Sequence, residues 1–120
     1  MTFEIRTTER FRKEAKRLSK KYPSLKNDLL TLLTQLENNS KAGKALGNHF
    51  YKIRLQIKSK GKGKSGGARV ITHVEITLKN ERLENGFIYV ATIYDKSEIS
   101  SIDEAQLKFL LKEIKNEFSK

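Results

Sequence analysis

The chain has 120 residues, no cysteine, and 25 Lys+Arg against 14 Asp+Glu, for a formal net charge of +11. That length fits one domain spanning 1–120, and the composition excludes disulfides, thiolate ligands and cysteine nucleophiles. No apolar run approaches the roughly 18 residues of a membrane span, and MTFEIRTTERFRKEAKRL at the N-terminus has no signal-peptide core, so a cytoplasmic location and no membrane partner are expected.

Thr2 to Arg6 reads as a short strand. From Thr8 to Tyr22, Phe11, Ala15, Leu18 and Tyr22 recur at helical spacing, and Pro23 stops that helix. Ser24 is a candidate N-cap for a second helix with the stripe Leu25, Leu29, Leu32, Leu33 and Leu36. Asn38 to Gly47 has turn chemistry and no period. Tyr51, Ile53, Leu55 and Ile57 then alternate with Lys52, Arg54, Gln56 and Lys58, as in a strand with one cationic face. Ser59 to Gly67 is a Lys/Gly loop, and Ala68 to Leu78 returns as a strand. The segment 80–86 ends in Asn-Gly, a turn signal, and Phe87 to Tyr94 is a third long strand. Ser101 with Glu104 fits a capping box for a last helix with Leu107, Leu110, Leu111, Ile114 and Phe118 on one face.

The order β-α-α-β-β-β-α predicts an α+β fold: a small antiparallel sheet, an N-terminal helical hairpin and a C-terminal helix, with the helices on one face. Between Glu37 and Glu75 there is no carboxylate. Cations of one sign on two strands and the loop between them make a positive field suited to a polyanion. By strand parity Lys52, Arg54 and Lys58 share a side, as do Arg69 and His73, and Tyr94 and Lys96. Like charges about 5 Å apart across a sheet repel, which calls for an anion.

Other chemistries fit poorly. Gly63-Lys64-Ser65 mimics the end of a P-loop, but Lys58 occupies the position of its first glycine, and a strand follows instead of a helix. His49 and His73 lack metal-ligand spacing. Asp103, Glu104, Glu113 and Glu117 read as cap and surface residues, so no metal or other cofactor is expected.

The blocks KIRLQIKSKGKGKSGGARVIT (52–72) and YVATIYDKSE (89–98), with the hairpin FRKEAKRLSKKYPSLKNDLLTLL (11–33), resemble the RelE/ParE toxin superfamily, nearest its RelE/HigB-like branch. The resemblance implies a RelE-like fold. It also implies the toxin of a type II toxin–antitoxin system: a metal-independent endoribonuclease that cleaves mRNA, in many members on the ribosome, and leaves a 2′,3′-cyclic phosphate. A cognate antitoxin is implied as partner, the free toxin being a monomer.

Motif by motif, the family's strand cations fall on Lys52 and Arg54, its key arginine on Arg69, and its basic residue after the third strand on Lys96. Many members carry a tyrosine further on. SEISSID (97–103) has none, and Tyr94 is the nearest. The catalytic set expected from this resemblance is Arg69, Lys52, Arg54, Lys96 and Tyr94, and the cationic pattern itself adds Lys58, Lys60, Lys62, Lys64 and His73 as RNA contacts. Arg69 and Arg54 offer fixed forks for phosphate oxygens. Lys52, Lys58 or Lys96, each among like charges, fits a proton-transfer role. A ParE-like gyrase inhibitor shares the fold, and a non-catalytic RNA- or ribosome-binding module shares the charge.

Overall fold

The computed structural model describes residues 2–60, 66–81 and 83–119. Those residues form β1 (Thr2–Thr7), α1 (Glu9–Lys21), α2 (Leu25–Asn38), β2 (Lys44–Gly47), β3 (Phe50–Leu55), a 3-10 turn (Lys58–Lys60), β4 (Ala68–Lys79), β5 (Glu84–Asp95) and α3 (Glu104–Phe118). One five-stranded sheet runs β1-β5-β4-β3-β2. β1 lies parallel to β5, and every other neighbouring pair is antiparallel. The fold is therefore α+β with a mixed sheet, not an antiparallel one, and β2 is an extra strand within the segment that reads as aperiodic.

Helices cover both faces of the sheet, contrary to the one-face expectation. Phe11, Leu18, Leu25 and Leu32 of α1 and α2 bury against Ile53, Leu55, Val70, Val90 and Ile93. On the other face, Leu110 and Ile114 of α3 bury against Phe50, Ile71, Tyr89, Ala91 and Tyr94. The signal for this was the near-continuous apolar run of β5, which suits a strand buried on both sides.

The helix ends follow local chemistry. Thr8 caps α1 by accepting from the Phe11 N–H at 3.1 Å. Ser24 precedes α2 but makes no side-chain cap bond. Its hydroxyl instead donates to the buried Asp28 carboxylate at 2.7 Å and accepts from the Ser59 N–H at 2.8 Å, tying the 3-10 turn to α2. The capping box of α3 is Asp103 with Gln106 rather than Ser101 with Glu104. The β4–β5 connection is closed by Asn80 and Leu83, whose backbone and side-chain bonds are 2.9 and 2.8 Å. Asn85-Gly86 lies inside β5 instead. A Cβ on Gly86 would come 1.9 Å from the Glu75 carbonyl oxygen, so glycine serves close strand approach there.

A bulge in β5 positions the site. Ile71 pairs with Thr92 and Thr72 with Val90, leaving Ala91 unpaired. The extra residue reverses strand parity, so Tyr89 and Tyr94 both face α3 while Ile93 faces the helical hairpin.

Candidate functional site

The face of the sheet beneath α3 carries cross-strand rows that include several of the candidate residues. In one, Arg54 of β3 stands opposite Arg69 of β4, and Arg69 stands opposite Tyr94 of β5. In the next, Lys44 of β2 is opposite Lys52, followed by Ile71 and Thr92. In the third, Phe50 is opposite His73, and His73 opposite Tyr89. Direct partners lie about 5 Å apart, and rows about 7 Å apart. Lys96 joins the same end: its N–H donates to the Gly67 carbonyl at 3.0 Å, and its ammonium donates to the Ser100 carbonyl.

Lys52 is at the centre of this charge. Partial burial lowers its proton affinity first, and Lys44, Lys96, Arg69 and Arg54 lower it further, because each disfavours a fifth positive charge. Arg54 and Lys44 are exposed and Lys52 is half-buried. Arg69 and Tyr94 are 4% and 3% exposed, so they form the floor. Arg69 Nη1 donates to the Ala68 carbonyl at 3.1 Å. The Tyr94 hydroxyl is buried with no hydrogen-bond partner among the described residues. Burial raises its pKa, against the opposing charge of Arg69, so at neutral pH it is a phenol able to donate.

The remaining expected RNA contacts are not gathered here. β3 ends at Leu55, so Lys58 has left the strand. It sits on the 3-10 turn, where its N–H donates to Asp28 Oδ2 at 3.2 Å. Lys60 Nζ lies 2.7 Å from Asp95 Oδ1, with its side chain only 10% exposed. His73 is buried edge-on against Phe50, ring centroids 4.6 Å apart. Burial, then His49, lowers its pKa to about 4, and a neutral imidazole makes no ionic contact with phosphate. Lys62 and Lys64 lie outside the described residues.

Two residues were given no site role by the sequence reading. Lys44 is one, because β2 has no periodicity to reveal it. Asp95 is the other: only the bulge turns it toward α1, where Tyr22 reaches it. A crevice of about 480 Å³ between α1 and α3, lined by Glu9, Arg10, Glu113 and Glu117, contains none of these site cations. Among the described residues, no three His, Asp or Glu side chains gather as a metal site, and no helix is long and apolar enough to cross a membrane.

No known protein-family model matches the chain, and no curated protein matches it significantly.

Proposed function

We propose that the chain is a RelE/HigB-like toxin, a metal-independent endoribonuclease that cleaves mRNA on the ribosome in the cytoplasm and is neutralised by a cognate antitoxin. The observation that carries this reading is the cross-strand set of cations, Lys44 opposite Lys52 and Arg54 opposite Arg69, around a Lys52 of lowered proton affinity. A lowered proton affinity favours an amine that accepts a proton, and the cations beside it suit a charge-rich phosphorane.

In this mechanism the neutral Lys52 amine takes the proton of a ribose 2′-hydroxyl. The 2′-oxygen bonds to the adjacent phosphorus, and the bond from phosphorus to the 5′-oxygen breaks. The Lys96 ammonium protonates the departing 5′-oxygen, leaving a 2′,3′-cyclic phosphate and a 5′-hydroxyl. Arg54 meets the phosphate from the exposed rim. Arg69, and the Tyr94 phenol opposite it, brace the floor. An acidic antitoxin segment over Lys44, Lys52 and Arg54 would block RNA by charge complementarity.

The test is primer extension on an mRNA in translating ribosomes, with wild type beside Lys52→Ala and Arg69→Ala. Position-specific breaks ending in cyclic phosphate from the wild type alone support the nuclease. Intact mRNA from all three removes it. The burial of Arg69 and Tyr94 favours a second reading, a non-catalytic RNA-binding module. In that case Arg69→Ala leaves RNA affinity nearly unchanged and no variant cleaves.

A further inference from the structure

The β2–β3 hairpin sets two lysines directly opposite each other. Lys44 is the cross-strand partner of Lys52, and the pairing of β2 with β3 is held at both ends, across a register shift at Leu46. Before Lys44, Gly43 runs at φ +95°, and a Cβ there would fall 2.4 Å from the Lys52 carbonyl oxygen. Only glycine lets the incoming chain close on β3 at that point. At the other end, Asn48 and His49 have φ of 51° and 66°, the two left-handed residues of a type I′ turn. The His49 carbonyl accepts from the Val74 N–H at 3.0 Å, which fastens the turn to β4.

Like charges directly opposite one another weaken a sheet. β2 is an edge strand, and a carboxylate at position 44 would pair with Lys52 and strengthen the hairpin. A lysine there does the reverse.

We propose that Lys44 is a positioning residue for Lys52: it stands directly across the hairpin from the lysine that takes the proton of the 2′-hydroxyl. This rests on the reading of Lys52 as the proton acceptor. The charged groups around Lys52 are Lys44 from β2, Arg54 from β3, Arg69 from β4 and Lys96 beyond β5, and all are cations. α3 brings Glu104 and Lys108 to the crevice beside Leu46 and Phe50. Of the charges that act on Lys52, Lys44 acts most strongly. It is also exposed at the edge of the sheet, so it can be replaced without disturbing the core.

The experiment titrates the Lys52 side chain by NMR in the full chain without RNA, and measures the pH profile of mRNA cleavage alongside. Wild type is compared with Lys44→Gln and Lys44→Arg, and amide spectra verify the hairpin. In Lys44→Gln the Lys52 midpoint moves to higher pH and the rising limb of kcat moves with it. Cleavage at neutral pH then falls severalfold, and the rates converge at high pH. Lys44→Arg leaves both where they were. A KM change alone, with the limb unmoved, makes Lys44 a mere phosphate contact and overturns the proposal. So does a Lys52 midpoint indifferent to Lys44→Gln, whether or not the chain cleaves RNA. If the midpoint moves but wild type leaves RNA intact at every pH, the coupling stands and the nuclease reading falls, and with it the proton-acceptor role.

Discussion

Lys60 Nζ lies 2.7 Å from Asp95 Oδ1, and that carboxylate is completely buried. Asp95 also accepts from Tyr22 Oη at 2.5 Å, from the Ser97 N–H at 2.9 Å and from Ser97 Oγ at 2.7 Å. The carboxylate thus joins the end of α1, the end of β5 and the 3-10 turn. Lys60→Met removes the cation and leaves a buried charge short of a partner, at a cost of roughly 3 kcal/mol in the unfolding free energy measured with urea. Asp95→Asn added to it recovers part of that loss, as coupled neighbours do. Because Asp95 neutralises Lys60, the proposed function predicts that Lys60→Met leaves the salt dependence of RNA binding unchanged under folding conditions. Arg54→Gln lowers that log-log slope by ~0.7. A lower slope from Lys60→Met would return Lys60 to the RNA surface.

Acid destabilises the fold in two separate windows. His73 is lowered from 6.5 to about 4, by burial and then by His49. The unfolded chain therefore binds this proton first, and stability falls as pH drops from about 6.5 to about 4. With a discount for solvent contact, the loss is roughly 2 kcal/mol. For Asp95, burial opposes ionisation, but the bonds from Lys60, Tyr22 and Ser97 outweigh it and hold the carboxyl below its ordinary range. Its contribution is complete above the ordinary value of 3.8 and is lost as pH falls below it. His73→Phe, which keeps a ring against Phe50, should abolish the upper step and keep the lower one in urea midpoints measured against pH. An upper step that survives would assign it to another group.

The helices and the three long strands were legible because their apolar spacing survives burial: Phe11, Leu18, Leu25 and Leu32 all reach the core. What was illegible arises between elements. β2 shows no alternation because it is a short edge strand, exposed along most of its length. The parity change at Ala91 is a pairing event with β4, and no spacing within β5 announces it. Without it Tyr94 would face the helical hairpin and would no longer stand opposite Arg69. The carboxylate-free stretch did locate the cations, but it implied that all of them were uncompensated. Asp95, distant in sequence, neutralises Lys60, so the cationic surface is smaller and shifted toward Lys44.

The β2–β3 turn carries removable strain. His49 holds φ 66°, a left-handed conformation that costs a side chain with a Cβ roughly 1 kcal/mol, and type I′ turns favour glycine at this position. His49→Gly removes that cost and forfeits a 6.3 Å ring contact with His73. The gain is offset in part by the freer unfolded chain. A net stabilisation of about 0.5 kcal/mol is expected in thermal unfolding, with cleavage unchanged. A destabilised variant would mean that the His49–His73 contact outweighs the strain.

Lys44→Glu separates stability from activity at the same hairpin. Lys44 and Lys52 are directly opposed, so the substitution turns a repulsive pair into an attractive one. Cross-strand charge pairs contribute about 0.2–1 kcal/mol, and the variant is expected to gain stability near the top of that range at low salt. The gain shrinks as salt rises, because both groups reach solvent. On the proposed function, the new carboxylate favours the protonated form of Lys52 and repels the RNA backbone, so cleavage at neutral pH is expected to fall further than in Lys44→Gln. Urea unfolding at two salt concentrations, run beside primer extension, checks both halves. A variant that is more stable and fully active would show that the Lys44–Lys52 repulsion serves neither binding nor proton transfer.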